Sequence, residues 1–581
     1  MDTQSLRDRV KSWIAQDPDP QTRAELEALL EKSAEAELAE RFSGQLEFGT
    51  AGLRGILGGG PMRMNRAVVR RATAGLAAYV QKTVREASTR GVVVGYDGRR
   101  MSRELAEEAA SVLAGAGVHV HLFEALGPTP MVAFAVLQTG AAAGVMVTAS
   151  HNPPEYNGYK VYWDNGAQII PPHDAGISAA IDAVGPLSSL PMPPLEKARR
   201  KGLVTLLGAE LEARYLASLQ KLALHPEVSK DVSIVYTAMH GVGGKLALAA
   251  LAQAGFTRVW PVPAQLEPDG RFPTVRFPNP EEKGALDLSL ALAREKDADL
   301  VIANDPDADR LAIATRRAPG DYLQLSGDQV GALLGYYLLT ERPAAADRLV
   351  VTTIVSSSLL GQMARALGVR YAETLTGFKW IANRALAMEA EQPAIDFVLG
   401  YEEALGYSIG TAVRDKDGIS GAAVFAELAA FCRSRGQSVL GYLEEIYRRF
   451  GLFKSAQHNV VLPGSTGAAQ IRAMMERLRA NPPKEIGGVR VVATRDLARG
   501  VRVSERGEEK VDLPSSDVLT FELDGGGRIT ARPSGTEPKI KFYFELRESI
   551  AQGEPLTAAQ ERADGRMKAL VEAFVRVAQP V

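Results

Sequence analysis

Three similar α/β domains with parallel-rich mixed sheets, followed by a C-terminal α+β domain, are what this sequence predicts, and two observations carry that expectation. The first is a plan that repeats three times: an apolar strand, a polar loop, an Ala/Leu-rich helix, a glycine and another strand. Its copies are GVVVGYDGRRMSRELAEEAASVLAGAGVHVHLF with Gly117 after the helix, VSIVYTAMHGVGGKLALAALAQAGFTRVWPV with Gly255, and RLVVTTIVSSSLLGQMARALGVRYAETL with Gly368. Helices often stop on a residue of positive φ, which glycine adopts without steric cost. Short strands joined by such helices imply parallel βαβ units. The second observation is a change of period from about residue 453. VLTFEL and KIKFYFEL alternate apolar and polar residues as half-buried antiparallel strands do, and LTAAQERADGRMKALVEAFVRVA reads as an amphipathic helix.

Length and composition fit this division. At about 100–200 residues per domain, 581 residues allow about three to five domains. The chain is 46% apolar and only 6% aromatic, rich in the Ala and Gly that let helices lie close on a sheet. A net charge of −2 creates no global field toward nucleic acid or a membrane surface, so an anionic ligand must be met by local basic clusters. The single cysteine, Cys432, excludes an intrachain disulfide, fits a reducing compartment, and reads as a small buried helix residue in AELAAFCRSRG. The N-terminus lacks the apolar core of a signal peptide. Residues 125–154 carry no Asp, Glu, Lys or Arg, yet Pro128, Pro130, Gly140, Gly144 and Asn152 interrupt the run, which favours buried core elements over a membrane span. A soluble, cytoplasmic protein is expected. The Pro-rich, then basic stretch at 187–202 reads as a domain boundary, and the charged opening helices (residues 1–47) read as surface decoration.

LVIANDPDADRLAI places Asp305, Asp307 and Asp309 in a polar break between two apolar strands. Alternate residues of extended chain share a side, so the three carboxylates can converge on one hard cation. A calcium EF-hand is excluded: counted from Asp305, its Gly and Glu positions hold Arg310 and Arg316, and the flanks are strands. Magnesium suits few carboxylates completed by a phosphoryl oxygen.

GVMVTASHNPPEYNGYKVYW presents Ser150 at a strand end before the turn formers His151-Asn152-Pro153-Pro154. The G-x-S-x-G elbow of a hydrolase is absent, and beside an Asp cluster and basic loops the hydroxyl is a candidate phosphoryl acceptor. Lys160 in NGYKVY and Lys379 in LTGFKWIA are candidate proton carriers, since cationic neighbours depress a lysine pKa. His151 reads as an orienting neighbour. ARPSGTEPKIKFYFE collects Arg532, Ser534, Gly535 and Thr536 in one tight loop, where small residues expose backbone N–H groups and Arg forks onto phosphate. Arg54 in FGTAGLRGILGGG can face the same kind of anion, and YDGRRMS offers Arg99, Arg100 and Ser102 as a further contact. HGVGGKLAL fails as a P-loop, because Met239 and Leu246 stand where Gly and Ser/Thr are required, and Leu246 also breaks the dinucleotide pattern.

TASHNPPEYNGYK, NDPDADR, YEEALGY and RPSGTEPK, in this order, resemble the α-D-phosphohexomutase superfamily from about Phe48 to near the end of the chain. The resemblance implies four domains around a central cleft, here 1–205, 206–322, 323–452 and 453–581. It implies an intramolecular phosphotransferase with Ser150 as phosphoserine and Mg²⁺ held by Ser150, Asp305, Asp307 and Asp309. Lys160 matches the proton-transfer lysine, and Arg54 and Arg310 match the arginines on the phosphoserine side. Thr376, Gly377, Lys379, Glu402 and Ala404 fall in the sugar loops, while Arg532, Ser534, Gly535 and Thr536 match the grip on the non-reacting phosphate.

Many glucose and mannose mutases carry serine, often followed by Gly-His, where this chain has Ala404 in YEEALGY. That departure resembles the branch of long bacterial phosphoglucomutases and animal phosphoglucomutase-phosphopentomutases. The implied activity is interconversion of glucose 1-phosphate and glucose 6-phosphate through glucose 1,6-bisphosphate. Phosphopentomutase, phosphomannomutase and sugar bisphosphate synthase are the alternatives, and a non-catalytic sugar-phosphate sensor is the reading from another class. A monomer or homodimer acting on a small phosphosugar is expected.

Overall fold

Six strands, β1 (Leu53–Ile56), β2 (Val92–Tyr96), β3 (Val120–Phe123), β4 (Ala143–Val147), β5 (Tyr156–Trp163) and β6 (Val204–Leu207), form the first sheet in the order β1-β5-β4-β2-β3-β6. They belong to a computed structural model that describes residues 3–50, 52–343, 347–462, 467–534 and 539–578. The chain divides into two units, Met1–Gly327 with Phe378–Gly436, and Asp328–Gly377 with Gln437–Val581.

In the first unit, β2 runs parallel to β3 and β4, and β3 to β6, whereas β5 is antiparallel to β4 and β1. The uninterrupted apolar strands β2 and β4 are wholly buried, as parallel strands covered on both faces are. The first repeat folds as read: β2, the helix Ser102–Gly115, a stop at Gly117 with φ 75°, then β3. In the second repeat, β7 (Ile234–Thr237) leads through the helix Gly244–Gln253 and Gly255 (φ 94°) to the parallel β8 (Val259–Pro261). With β9 (Leu300–Ala303), β10 (Ala312–Ala318) and β11 (Asp321–Gln324) they make a sheet of order β11-β10-β9-β7-β8. The unit also holds the hairpin Asp396–Glu402/Gly406–Ile409 and the helix Gly418–Ser434, in which Cys432 is buried.

The opening helices are more than decoration. Thr3–Ile14, Pro20–Glu31 and Glu35–Arg41 bury Leu6, Val10, Leu26, Leu38 and Phe42 in a core of their own. Glu25 accepts the Gly59 N–H at 2.9 Å and Arg41 donates to the Gly59 carbonyl at 3.1 Å, which fastens the bundle to the loop before the first sheet's helices. Their charge content hid a narrow apolar stripe.

In the second unit the third repeat gives parallel strands Arg348–Thr353 and Arg370–Thr374 around the helix Leu359–Ala366, with Gly368 at φ 66°. The C-terminal sheet is antiparallel. Leu519, Phe521, Ile529, Ala531, Phe542 and Phe544 point under the helices Gly467–Ala480 and Leu556–Ala578. The opposite face is not left to water as half-buried strands would leave it. Thr520 and Thr530 pair at 3.0 Å, and Arg528 reaches Glu373 (3.1 Å) and Glu545 (3.4 Å). Arg495 reaches Glu373 (3.0 Å) and Glu522 (3.2 Å). This ionic layer joins the βαβ segment to the sheet. Among the described residues no helix is long and apolar enough to cross a membrane.

Candidate active site

Parallel strands place their functional loops at their carboxyl ends, and two such ends meet in the first unit. After β4 the chain continues through Thr148 and Ala149 to Ser150, which is 4% exposed and held at φ 53°. After β9 it runs through Asp305, Asp307 and Asp309 before returning antiparallel along β10. Ser150 Oγ donates to Asp305 Oδ2 at 3.0 Å across 155 residues of sequence. Lys160, in the middle of β5, extends its Nζ to Asp307 Oδ2 at 2.8 Å and Asp309 Oδ2 at 3.0 Å. Gly158 allows β5 to pass this close: a Cβ there would lie 2.6 Å from the Thr148 carbonyl oxygen and 2.8 Å from that of Leu53.

The three carboxylates are completely buried and offer oxygens within 4.8 Å of one another. Asp307 Oδ1 and Asp309 Oδ1 have no hydrogen-bond partner. Two orphaned, anionic, hard oxygens beside a third carboxylate are the donor set that a divalent cation such as Mg²⁺ takes, so the residues present fit the ion. Burial, with the neighbouring Asp307 and Asp309 charges, drives the Asp305 carboxyl well above the usual range. Burial acts on Asp307 in the same sense, but the Lys160 ammonium and the Thr129 hydroxyl (2.7 Å) outweigh it and hold that carboxyl below the ordinary value.

Lys160 departs from expectation. Burial works against its charge, but Asp307 and Asp309 prevail and raise its pKa, where cationic neighbours were expected to depress it. His151 lies with Nδ1 3.1 Å from Ser150 Oγ, and burial together with Arg310 and Arg54 lowers its pKa well below the usual value, so the imidazole is neutral. Arg54 is exposed and donates to Asn152 Oδ1 at 3.1 Å. Arg310 donates its backbone N–H to Asp305 Oδ1 at 3.0 Å, and its guanidinium pairs with Glu281 at 3.0 Å. Glu402, 7% exposed, ends a strand whose hairpin partner Gly406 bridges to Arg310, with the half-buried Ala404 at the turn. Lys379 donates to Thr50 Oγ1.

Thr376, Gly377 and the loop from Arg532 to Thr536 belong to the second unit. Thr376 has a buried hydroxyl oxygen with no partner, Gly377 sits at φ 112°, and Arg532 is half-buried opposite Lys541 on the C-terminal sheet. The Ser534 N–H donates to the Lys539 carbonyl at 2.7 Å, and Gly535 and Thr536 lie outside the described residues. The expectation that Arg99 contacts an anion is overturned. Its side chain is 1% exposed and spent on backbone carbonyls of the Ser150 loop, and Ser102 is likewise turned inward onto Asp97. Arg100 is exposed and donates to the Pro154 carbonyl at 3.3 Å.

Sequence reasoning missed Lys416. Its Nζ lies 3.4 Å from Asp309 Oδ2 and over the Phe378 ring. Burial opposes its charge, yet Asp309, Asp415 and Glu402 raise its pKa. Asp415 in turn accepts from Tyr162 and Gln168 at 2.7 Å each. The one available signal was a dense charged tetrad, RDKD, immediately before a long apolar helix.

Four family models match the chain in succession. They are phosphoglucomutase/phosphomannomutase alpha/beta/alpha domain I (residues 45–186), domain II (213–320), domain III (326–450) and the C-terminal domain (475–558). The protein named "Probable phosphomannomutase" of Haemophilus influenzae is 42% identical over 84% of this chain and 93% of its own length. The human phosphopentomutase is 38% identical over 93% of this chain and 91% of its own. The solved open form of the Paramecium phosphoglucomutase parafusin shares the fold with a TM-score of 0.65, at 20% identity over 90% of this chain and 95% of that one.

Proposed function

The chain belongs to the phosphoglucomutase/phosphomannomutase family, and from that premise we propose that it interconverts glucose 1-phosphate and glucose 6-phosphate through a phosphoserine at Ser150. The observation that carries this reading is the 3.0 Å contact between Ser150 Oγ and Asp305 within a buried trio of carboxylates. An ordinary serine at a turn has no reason to meet such a cluster.

In the proposed cycle, a hydroxyl oxygen of the bound sugar phosphate attacks the phosphorus on Ser150. The bond from phosphorus to Ser150 Oγ breaks, and glucose 1,6-bisphosphate is formed. The reverse transfer, from the other end of the bisphosphate, restores phosphoserine and releases the isomer. One proton passes from the sugar hydroxyl to Ser150 Oγ in the first transfer and back in the second. We assign its movement to Lys160 and to His151, whose neutral Nδ1 lies 3.1 Å from Oγ. Asp305, Asp307 and Asp309 would hold Mg²⁺, which when bound supplies neutralisation of charge on the transferring group. Arg54 and Arg310 flank the serine and suit the phosphoryl oxygens. Glu402, Ala404, Thr376, Gly377 and Lys379 are assigned to the sugar, and Arg532, Ser534, Gly535 and Thr536 to the phosphate that is not in transfer. A cytoplasmic setting agrees with a lone cysteine and a diffusible substrate.

Intact-mass analysis before and after addition of glucose 1-phosphate tests the reading. A phosphate increment localised to Ser150 and lost to substrate supports it, as does a Ser150→Ala variant without turnover. Mutase activity in Ser150→Ala would refute it. A pentose substrate is the second reading, favoured by Ala404 in the sugar loop and by near full-length similarity to a phosphopentomutase. The ratio of kcat/KM on ribose 1-phosphate and glucose 1-phosphate decides between the two.

A further inference from the structure

The motif YDGRRMS has no direct part in the proposed chemistry, yet its Asp97, Arg99 and Ser102 are buried near Ser150. Asp97 leaves the end of β2 beside the end of β4, its N–H donating to the Val147 carbonyl at 3.2 Å. Its side chain is wholly enclosed. Oδ1 accepts the Arg99 N–H at 3.0 Å and the Ser102 hydroxyl at 2.6 Å, and Oδ2 accepts the Thr148 hydroxyl at 2.7 Å. Because Thr148 gives its proton to Asp97, a lone pair of its Oγ1 is free to accept the Ser150 N–H, which it does at 2.9 Å.

Arg99 acts on the same loop from the other side. Its guanidinium donates to the carbonyls of Ser150 (2.6 Å), Pro153 (2.9 Å) and Tyr156 (3.3 Å), and also to that of Asn152. It is covered by the Phe272 ring, 4.9 Å away, and its side chain is 1% exposed. The loop so gripped contains a serine at φ 53°, a backbone state that side chains other than Gly, Asn and Asp seldom adopt. Relaxation to negative φ would swing Cβ, and with it Oγ, away from Asp305.

We infer that Asp97 and Arg99 are positioning residues for the phosphoryl-carrying serine: Asp97 sets the polarity of the Thr148 hydroxyl that receives the Ser150 N–H, and Arg99 gathers the loop carbonyls, so that Oγ stays aimed at the carboxylate trio. The inference rests on the assignment of Ser150 as the carrier. Its chemical content is a direction of hydrogen bonding, and isosteric changes can reverse that direction. In Asp97→Asn the amide oxygen can serve Arg99 N and Ser102 while its NH₂ faces Thr148. The Thr148 proton then loses its acceptor, so the hydroxyl no longer has its orientation toward the Ser150 N–H fixed. Thr148→Val deletes the acceptor without changing shape, and Thr148→Ser returns it.

The test measures kcat and KM for glucose 1-phosphate, with phosphate occupancy of Ser150 by intact mass, in Thr148→Val, Thr148→Ser, Asp97→Asn and Ser150→Ala. Circular dichroism establishes that each is folded. Small displacements of a reacting group can cost about 100-fold in rate. Thr148→Val and Asp97→Asn should therefore lose roughly ten- to 100-fold in kcat with KM within about twofold, and Thr148→Ser should recover most of the loss. Wild-type kcat in Thr148→Val, a KM that rises in step, or no recovery in Thr148→Ser would overturn the inference. If Thr148→Val does not fold, Arg99→Lys is read by the same criteria, since it keeps the charge and removes the fork. An inactive Ser150→Ala beside an unimpaired Thr148→Val defeats the positioning role alone. A turning-over Ser150→Ala defeats the carrier assignment and the inference with it.

Discussion

Replacing Lys160 with methionine asks whether the carboxylate trio is held together by an internal cation that a metal can relieve. The Lys160 ammonium lies 2.8 Å from Asp307 and 3.0 Å from Asp309, with 7% of its side chain exposed. At an effective dielectric of about 20, each contact is an attraction of roughly 5–6 kcal/mol, most of which offsets the cost of taking the charges out of water. Removing one partner leaves the others buried and uncompensated, at a cost of about 3–5 kcal/mol. Methionine has a similar length and volume, so the packing change adds little. Urea unfolding followed by circular dichroism, in EDTA and then in saturating Mg²⁺, measures both parts. The variant should lose about 3–5 kcal/mol in EDTA, and Mg²⁺ should stabilise it more than the wild type. A variant as stable as wild type in EDTA, or equal Mg²⁺ stabilisation of both, would refute the reasoning.

Two further predictions concern other charged groups. Burial raises the pKa of Asp328 to about 6, against hydrogen bonds from Ser357 N–H (2.7 Å) and Ser455 Oγ (2.7 Å), with Glu545 adding to the rise and Arg528 opposing it. The folded value exceeds the unfolded one, so the favoured form is the protonated one: the stability that Asp328 contributes is greatest below about pH 4 and declines as pH rises to about 6. Asp328→Asn should remove this decline and add about 2–3 kcal/mol at pH 7; urea midpoints from pH 4 to 7 that keep the wild-type slope would contradict it. Glu281 pairs with Arg310 at 3.0 Å while 41% of its side chain is exposed, so it occupies a guanidinium assigned to phosphoryl oxygens at a cost to the incoming anion of no more than about 1 kcal/mol. Glu281→Gln should lower KM for the phosphosugar up to about fivefold with kcat little changed, and an unchanged or higher KM would mean that the pair does not compete.

The elements written contiguously in the sequence were the legible ones. Gly117, Gly255 and Gly368 each stop a helix at positive φ, and the three βαβ units between them are parallel. The aspartates at 305, 307 and 309 were readable as a cluster because they share one short loop, although a turn with Ala308 at φ 55°, and not the extended chain expected, brings them together. What local sequence cannot encode is the direction a long side chain takes and the identity of what it meets. Arg99 reads as an exposed phosphate hook and is instead an interior clamp, since the carbonyls it serves lie more than fifty residues away. The pKa of Lys160 has the opposite sign from the one expected, because its partners lie 147 and 149 residues downstream. Lys416 escaped notice for the same reason: only the fold brings it to Asp309. The opening helices misled through composition, since three short amphipathic helices can share a core that none of them displays alone.

The raised pKa values of Lys160 and Lys416 have a consequence for the order of events in the proposed cycle. Both are ammonium groups at neutral pH, and both approach Asp309, at 3.0 and 3.4 Å. The trio therefore already has internal counter-charge, and a divalent ion entering beside two ammoniums meets repulsion as well as attraction. A phosphoryl dianion on Ser150, whose Oγ is 3.0 Å from Asp305, would reverse that balance and supply further oxygens. Metal affinity and phosphorylation should then be linked, each favouring the other by the same factor. Mg²⁺ titration of the phosphorylated and dephosphorylated protein measures the factor. Binding at least about tenfold tighter to the phosphorylated form corresponds to a coupling of about 1.4 kcal/mol. Equal affinities would mean that the lysines do not limit the ion, and that the carboxylates alone determine its binding.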